Sequence, residues 1–289
     1  MINRQRALIR FIANEGGSIK MLRLVKLSFL LRETAKDIPK PNLYDFIPYH
    51  YGPYSFTLNH ELRAVERDGW IRITKSGVKL LRSAETEVSR LDRAFTDKID
   101  SLTRRFRNVG TTTLVSRVYA EYPWYTSKAK DEKLRGAAVP TALPAVFTVG
   151  YEGMMLDGLL DLLLRTGVKR LIDVRCNPVA RRFGFHKSTI ERHCRDVAIQ
   201  YTHVPELGIP SSKRANLDDK ESYNRLFDYY EEKILPAHRE SVKMVSSLVR
   251  KAPSALMCME ADAKCCHRTR LAAAVAKETN LIVRELTNL

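Results

Sequence analysis

Long apolar runs are absent from this chain. No window of its 289 residues approaches the unbroken hydrophobic stretch of about 20 residues that a membrane-spanning helix needs. The residues from Met1 to Ala7 enter an amphipathic helix pattern without the apolar core of a signal peptide. The sequence therefore predicts a cytoplasmic protein that has no membrane partner.

Cysteine is scarce, and the common cofactor motifs are missing. The cysteines are Cys176, Cys194, Cys258, Cys265 and Cys266, all in the second half of the chain. An odd, clustered set without an export signal argues against a disulfide framework and favours reduced thiols. The chain has no Walker loop, no dinucleotide-binding glycine motif and no His-Glu-x-x-His, which disfavours ATP, NAD and zinc-protease chemistry.

Basic residues are in clear excess, and the excess is uneven. The formal net charge is +16, and residues 1–140 hold 26 lysines and arginines against 15 aspartates and glutamates. A basic surplus favours polyanionic partners because each neutralised phosphate releases counterions, although solubility alone is the alternative explanation. Since the excess lies mainly in the first half, we expect that half to contact nucleic acid, with DNA favoured.

The length and the apolar content of 44% are sufficient for two hydrophobic cores. We expect a basic helical domain over residues 1–125 and an α/β domain over residues 146–289. Residues 126–145 are polar, contain lysines and alanines and end with two prolines, as is typical of a linker between domains.

The first domain is predicted to be mainly helical. Helices are expected over residues 3–14, from an N-cap at Ser18, over about 55–68, and as one long charged helix over 79–107. The run from Trp70 to Thr74 alternates like a short strand. A helix, a turn, a second helix and a short ribbon follow one another in the order of a winged helix, a common DNA-binding module.

Four basic residues near the predicted ribbon are candidates for contact with phosphate: Arg63, Arg67, Arg72 and Lys75. The alternative is that they form a solvated helix face. The aromatic residues of the neighbouring turns, including Tyr49 and Trp70, are expected to pack in the core around a Gly-Pro bend.

The same half resembles a known family. The residues concerned are Leu24-Val-Lys-Leu-Ser28, Tyr49-His-Tyr-Gly-Pro-Tyr54, Gly69-Trp70-Ile71 and the segment Tyr119–Tyr125. They resemble the Panacea-type domain found in antitoxins and phage-associated proteins. The resemblance covers about the first 125 residues and implies regulation or neutralisation of a protein partner rather than catalysis.

From Val146 onward, short apolar runs alternate with helical patterns five times. This alternation predicts a largely parallel sheet with helices on both faces. One of the expected helices covers about 220–250 and is bent at Pro236.

Polar side chains follow the predicted strands at the point where each ends. Because ligands bind outside the carboxyl ends of parallel strands, we expect these side chains to form the site. They are Tyr151 after the first strand, Asp173, Arg175, Arg181 and Arg182 after the second, His203 and Glu206 after the third, and Cys258 and Glu260 after the fourth.

The loop after the fourth strand places Cys266, His267 and Arg268 at the start of a helix. A thiol in that position would be nucleophilic. Alternatively, Cys258, Cys266 and His267 could hold a divalent metal ion, with His203 as a fourth ligand, although the spacing is not that of paired Cys-x-x-Cys units. The third alternative is that the cysteines are small buried apolar residues.

The arginines Arg175, Arg181, Arg182 and Arg268 could bind a phosphate or could pair with Asp173, Glu206 and Glu260. For catalysis we expect Asp173 or Glu260 as general acid or base, and His203 or His267 as a second proton carrier.

Five motifs in the second half also resemble a known family. They are Thr148–Gly153, Asp173-Val-Arg175 with Pro178 and Arg181, Gly184-Phe185, Tyr201–His203 with Glu206-Leu-Gly208, and Cys258-Met-Glu260 with Cys266-His-Arg268. In this order they resemble the bacterial family catalogued as domain of unknown function 488. Cys265 is an additional cysteine beside the family position, and the resemblance names no reaction.

Three functions remain open on the sequence. The first is a nucleic-acid-directed protein, of defence or mobile-element context, that binds DNA through its N-terminal domain and acts on a nucleotide or nucleic acid at the C-terminal site. The second is a non-enzymatic regulator or antitoxin-like module that senses a small anion. The third is a thiol- or metal-dependent enzyme acting on a small molecule.

Overall fold

The computed structural model describes residues 1–35, 37–39, 43–213 and 220–287. The chain divides into two compact units, Met1–Ala138 and Val139–Leu289. The division lies inside the predicted linker. Residues of that segment form hydrogen bonds with the first unit before the division and with the second unit after it. The backbone N–H of Lys130 donates to the carbonyl of His50 in the first unit, and that of Ala142 donates to Gly167 in the second.

The N-terminal unit is built mainly from helices. Its helices are α1 (Asn3–Asn14), α2 (Met21–Thr34), α3 (Phe56–Arg67), α4 (Glu85–Val88), α5 (Arg93–Phe106) and α6 (Thr111–Glu121). Its strands are β1 (Ser18–Ile19), β2 (Ile47–Tyr49), β3 (Gly52–Tyr54), β4 (Ile71–Thr74) and β5 (Gly77–Leu80). Strands β2 and β3 form a hairpin, and the other three form an antiparallel sheet in the order β1-β5-β4.

Two local predictions for this unit were wrong. Ser18 does not cap a helix, because it lies in β1 opposite Lys79, and α2 begins after Lys20. The single helix expected over 79–107 is instead strand β5 followed by α4 and α5. The cause is a long-range contact: Gly77, with φ of +145°, brings β5 so close to β1 that a Cβ there would lie 2.1 Å from the carbonyl oxygen of Ile19.

The core of the N-terminal unit forms where helical apolar spacing and aromatic residues meet. Leu8, Phe11 and Ile12 of α1 are at most 1% exposed, as the 3–4 residue spacing predicts. Phe29 of α2 packs edge-on against Phe46, Tyr122 and Tyr125, with ring centroids 4.7 to 5.3 Å apart. Of the turn aromatics expected to pack in the core, Tyr49, Tyr54 and Trp70 are only partly buried, and Tyr51 is 62% exposed.

The C-terminal unit alternates strands and helices. Its strands are β6 (Val146–Gly150), β7 (Arg170–Asp173), β8 (Gln200–His203), β9 (Ser254–Cys258) and β10 (Val283–Leu286). Its helices are α7 (Leu156–Arg165), α8 (Lys187–Asp196), α9 (Lys220–Tyr229), α10 (Leu235–Ala237), α11 (Arg239–Lys251) and α12 (Arg268–Thr279). The single helix expected over 220–250 is interrupted: a π-helical turn over Tyr230–Ile234 follows α9, and Pro236 lies in the short α10.

The five strands form one parallel sheet in the order β10-β6-β9-β7-β8, which confirms the predicted α/β sheet. For this strand order, the right-handed rule for parallel crossovers predicts α7 and α8 on one face and the later helices on the other. Alternate strand residues, such as Ile172 and Leu256, join the core of the second face together with Val245 and Leu271 of α11 and α12. Within the described residues, none of the helices has the length and apolar character needed to cross a membrane.

Candidate functional site

The strand order brings the carboxyl ends of four strands together. Strand β9 lies between β6 and β7, so that Gly150 pairs with Cys258 and Asp173 pairs with Met257. On the other side of β7, Asp173 is opposite His203. The carboxyl edge therefore gathers the polar strand ends into two neighbouring clusters.

The first cluster, which we call the arginine cluster, is centred on Asp173 and Arg175. The guanidinium of Arg175 donates from Nε and Nη2 to the two carboxylate oxygens of Asp173, at 2.8 and 2.5 Å. Its Nη1 donates to the hydroxyl of Tyr151 and to the carbonyl of Phe185, both at 2.9 Å. The hydroxyl of Tyr201 donates to Asp173 at 2.7 Å.

Burial makes this cluster a matched set of charges. Asp173 is 0% exposed and Arg175 is 6% exposed, so neither charge is solvated. Burial disfavours the charge on Arg175, but the hydrogen bonds and charge of Asp173 outweigh it and raise its pKa. Burial and the charge of Asp173 also raise the pKa of Tyr201, so that its proton stays on the hydroxyl. Arg175 is thus engaged inside the protein and does not present a free fork to a phosphate.

The second cluster, which we call the thiol cluster, consists of Cys258, Glu260, Cys266 and His267. The thiols of Cys258 and Cys266 lie 2.9 and 3.0 Å from the same carboxylate oxygen of Glu260, Oε2. The Nδ1 atom of His267 lies 3.8 Å from one sulfur and 4.0 Å from the other. The two sulfurs and this nitrogen all lie within 4.8 Å of one another, which is close enough to hold one metal ion.

A backbone carbonyl fixes the orientation of the His267 imidazole. Its Nε2 lies 3.1 Å from the carbonyl oxygen of Val174, which can only accept a hydrogen bond. The proton therefore sits on Nε2, and Nδ1 directs its lone pair at the two sulfurs. Tyr230, which is 0% exposed, packs edge-on against this ring at 5.2 Å.

The loop that carries Glu260 is held by buried contacts. Arg268, 0% exposed, donates to the carbonyls of Glu260 and Ala261 at 2.5 and 3.1 Å, and to the carboxylate of Glu285. Gly150 permits the close approach of this loop, since a Cβ there would lie 1.9 Å from the carbonyl oxygen of Glu260. Arg268 therefore positions the loop, and its donors point inward.

The remaining predicted residues lie outside the two clusters. His203 does not face the thiols: its Nε2 is 2.9 Å from the carbonyl oxygen of Arg175. Glu206 accepts from the hydroxyl of Ser241 at 2.6 Å, and this hydrogen bond lowers its pKa. Arg181 and Arg182 are exposed in the loop after β7, where Nη1 of Arg182 donates to the carbonyl of Met154.

Sequence reasoning missed three residues that complete these clusters, namely Tyr201, Tyr230 and Glu152. The carboxylate of Glu152 accepts the backbone N–H of Ala261 at 3.0 Å. Tyr201 could have been found from its spacing, because it lies two residues before His203 on a strand and so shares its face. Nothing in the local pattern distinguished Tyr230, which reaches His267 from a helix distant in sequence.

In the N-terminal unit, the predicted basic residues gather on α3 and on the hairpin of β4 and β5. Arg63, Arg67, Arg72 and Lys75 are all exposed. Glu66 links the two elements: one carboxylate oxygen accepts the backbone N–H of Ile73 at 2.6 Å, and the other lies 3.0 Å from Arg63. The exposed basic side chains thus lie on α3 and on the β4–β5 hairpin, which Glu66 connects through its hydrogen bond to Ile73.

A family model matches part of the C-terminal unit. A model of the family described as domain of unknown function DUF488 matches residues 155–275, which include α7 to α11, most of α12 and all of the thiol cluster. This match confirms the resemblance predicted for the second half of the sequence. No curated protein and no solved structure matches the chain. The resemblance of the N-terminal half to a Panacea-type domain stays a prediction.

Proposed function

With a DUF488 domain over residues 155–275 as the premise, we propose that this is a nucleic-acid-directed protein. Its N-terminal unit binds duplex DNA, and its C-terminal unit carries the chemical site that acts on a nucleotide or nucleic acid. A cytoplasmic location and a defence or mobile-element context belong to the same proposal. The observation that carries it is the exposed basic surface formed by α3 and the β4–β5 hairpin.

The topology of the N-terminal unit supports DNA binding as a winged helix. Helix α1 precedes β1, helices α2 and α3 precede β4, and β4 continues into β5, which lies between β1 and β4 in the sheet. In such modules the last helix before the hairpin enters the major groove, and the hairpin contacts the backbone. Helix α3 takes the first role and the β4–β5 turn the second.

The distribution of side chains on α3 fits this assignment. Leu58, Leu62 and Val65 are buried at 2% exposure or less, which leaves the opposite face of the helix to solvent. That face carries Arg63, which is 61% exposed, and Arg67. Arginines of this kind contact base edges or phosphates in a groove.

One feature differs from a simple helix-turn-helix. The connection from Thr34 to Phe56 contains the β2–β3 hairpin, whereas helix-turn-helix motifs use a turn of about three or four residues. The hairpin displays Tyr51, which is 62% exposed. A protein partner bound at this hairpin is the basis of the alternative, a regulator of the antitoxin type.

The DNA-binding proposal is tested by paired alanine variants of the full chain. Arg63→Ala with Arg67→Ala removes two charges from α3, and Arg72→Ala with Lys75→Ala removes two from the hairpin. Each pair should weaken the binding of a fluorescent 30-base-pair duplex roughly tenfold at 0.1 M salt, measured by anisotropy, because two phosphate or base contacts are lost.

The matched control is Arg90→Ala with Arg93→Ala. These residues belong to the same unit, and their side chains are 58% and 92% exposed, so the change in net charge is identical. The control should bind the duplex like the unaltered protein. Equal losses in all three double variants would show attraction by net charge alone, and no binding at low salt would remove DNA from the function.

The role of the C-terminal site is tested on the same duplex and on single-stranded DNA and RNA. Strand cleavage or modification on a denaturing gel, lost in Glu260→Gln, is the expected result. Binding with intact strands under all metal conditions would favour the regulator.

A further inference from the structure

We propose that the thiol cluster is a zinc site, formed by Cys258 Sγ, Cys266 Sγ, His267 Nδ1 and Glu260 Oε2, in which Glu260 is the exchangeable ligand. The inference does not depend on DNA binding, because all four residues lie in the C-terminal unit. Its failure and that of the proposed function are therefore separate results.

The donor set selects the metal. Two thiolates, one imidazole and one carboxylate are ligands that zinc accepts in tetrahedral sites, whereas magnesium and calcium prefer oxygen alone. Three of the four residues, Cys258, Cys266 and His267, are 1% exposed. Buried thiols and an imidazole that converge on one point, with a carboxylate beside them, have no comparable role in apolar packing.

The distances place three of the four donors, the two sulfurs and Nδ1 of His267, close to their positions around a tetrahedral zinc ion. Ideal bonds to zinc separate sulfur from nitrogen or oxygen by about 3.6 Å. The sulfurs lie 3.8 and 4.0 Å from Nδ1 of His267, so these donors are almost in place. They lie 2.9 and 3.0 Å from Oε2 of Glu260, but that oxygen does not belong to the set of donor atoms that all lie within 4.8 Å of one another, so the carboxylate has to move toward Nδ1 to become the fourth ligand.

The surrounding groups orient the ligands as in known metal sites. A metal-binding histidine commonly donates its second ring N–H to a carbonyl or carboxylate, and His267 donates to Val174. The backbone of Glu260 is fixed by Arg268, whose Nη1 donates to its carbonyl. The positions of the histidine and of the loop are thus set before a metal ion binds.

Glu260 is the ligand that can leave. It is partly exposed, while the other three are buried, and it lies in the loop after β9 rather than in a regular element. A zinc ion with three protein ligands and an open fourth position can bind and activate water or polarise a substrate oxygen. Released from the metal, the carboxylate of Glu260 would accept a proton from that water.

The neighbouring cysteine provides a matched control. Cys265 is adjacent to Cys266 in sequence, but its sulfur lies 3.8 Å from the carboxylate of Asp262 and outside the cluster. Replacement of either residue by serine makes the same chemical change, a sulfur atom for an oxygen atom. Only the replacement of Cys266 should affect a metal ion in the cluster.

The experiment measures the zinc content of the full chain, purified without a metal-chelating tag, by mass spectrometry. We expect about one zinc per chain in the unaltered protein and in Cys265→Ser, and roughly a tenth of that or less in Cys266→Ser. In Glu260→Gln we expect zinc to be retained but to be removed by a chelator at roughly 10- to 100-fold lower concentration.

Cobalt substitution of the unaltered protein keeps the test independent of whether Cys266→Ser folds. One equivalent of Co²⁺ should give thiolate-to-metal charge-transfer absorption and the intense visible bands of a tetrahedral site. A spectrum without the thiolate band would overturn the site. So would equal zinc loss in both cysteine variants, or a disulfide between Cys258 and Cys266 in thiol titration. Unchanged chelator resistance in Glu260→Gln would overturn Glu260 as the fourth ligand.

Discussion

At the scale of single residues, Asp173 is better described as the partner of a buried charge than as a general base. Its carboxylate accepts three hydrogen bonds from Arg175, one of them from the backbone N–H, and a fourth from Tyr201, and it is 0% exposed. Four charge-assisted bonds leave it little capacity to accept a proton from a substrate. Arg175, which was expected to bind phosphate, already uses its guanidinium donors in hydrogen bonds to Asp173, Tyr151 and Phe185.

Asp173→Asn is therefore predicted to destabilise the C-terminal unit by about 3 to 5 kcal/mol, because it leaves the Arg175 guanidinium buried without its counterion. Tyr201→Phe, which removes one hydrogen bond to the same carboxylate, should cost about 1 to 3 kcal/mol. Hydrogen exchange of the β7 amides measures both losses. An Asp173→Asn protein with unchanged exchange rates and no activity would instead support a catalytic carboxylate.

At the scale of elements, the β2–β3 hairpin is anchored to α2 by one lysine. The ammonium group of Lys26 is 1% exposed and donates to the carbonyls of Tyr51 and Pro53 at 2.5 and 3.0 Å. Burial lowers the pKa of Lys26 to about 7. The aromatic residues of the hairpin, including Tyr49 and Tyr54, then pack against Phe56 at the start of α3.

This anchor predicts a pH dependence of stability. Between pH 7 and the ordinary lysine pKa of about 10.4, the unfolded chain binds a proton at Lys26 that the folded chain has lost, so the free energy of unfolding rises with pH. Relative to Lys26→Met, the unaltered protein should gain roughly 2 to 3 kcal/mol between pH 7 and 9.5.

Urea unfolding followed by tryptophan fluorescence measures this gain, because Trp70 and Trp124 both belong to the N-terminal unit. Lys79→Met, which removes an exposed lysine from β5 of the same unit, is the control and should show no such gain. A gain of the same size in the control comparison would assign the effect to net charge rather than to the buried anchor.

At the scale of the whole molecule, the uneven charge determines how binding to DNA responds to salt. If Arg63, Arg67, Arg72 and Lys75 each neutralise one phosphate, the logarithm of the affinity should fall against the logarithm of salt concentration with a slope of about −3.6. Anisotropy titrations between 50 and 200 mM salt give the slope of the unaltered protein. A much steeper slope would show that further basic residues also contact phosphate, and a slope near zero would exclude phosphate contacts.

The sequence by itself determined the features that depend on local patterns. Parallel strands buried on both faces appear as short apolar runs, and this pattern predicted the central strands β6, β7 and β9 to within a few residues. The edge strands β8 and β10, which are largely exposed or half-buried, were predicted from the regular alternation of strands with helices. The polar residues after those runs, Asp173 and Cys258 among them, had to meet at one edge because parallel strands share their carboxyl ends.

Only the tertiary structure decided which of these residues face one another. The strand order places β9 between β6 and β7. Glu260, in the loop after β9, contacts the two thiols. His203, at the end of β8, contacts the carbonyl of Arg175 instead. Likewise Arg175 is directed inward, and β5 is a strand because β1 pairs with it across the sheet. These outcomes depend on contacts between residues far apart in sequence, whose geometry a local pattern of hydrophobicity does not contain.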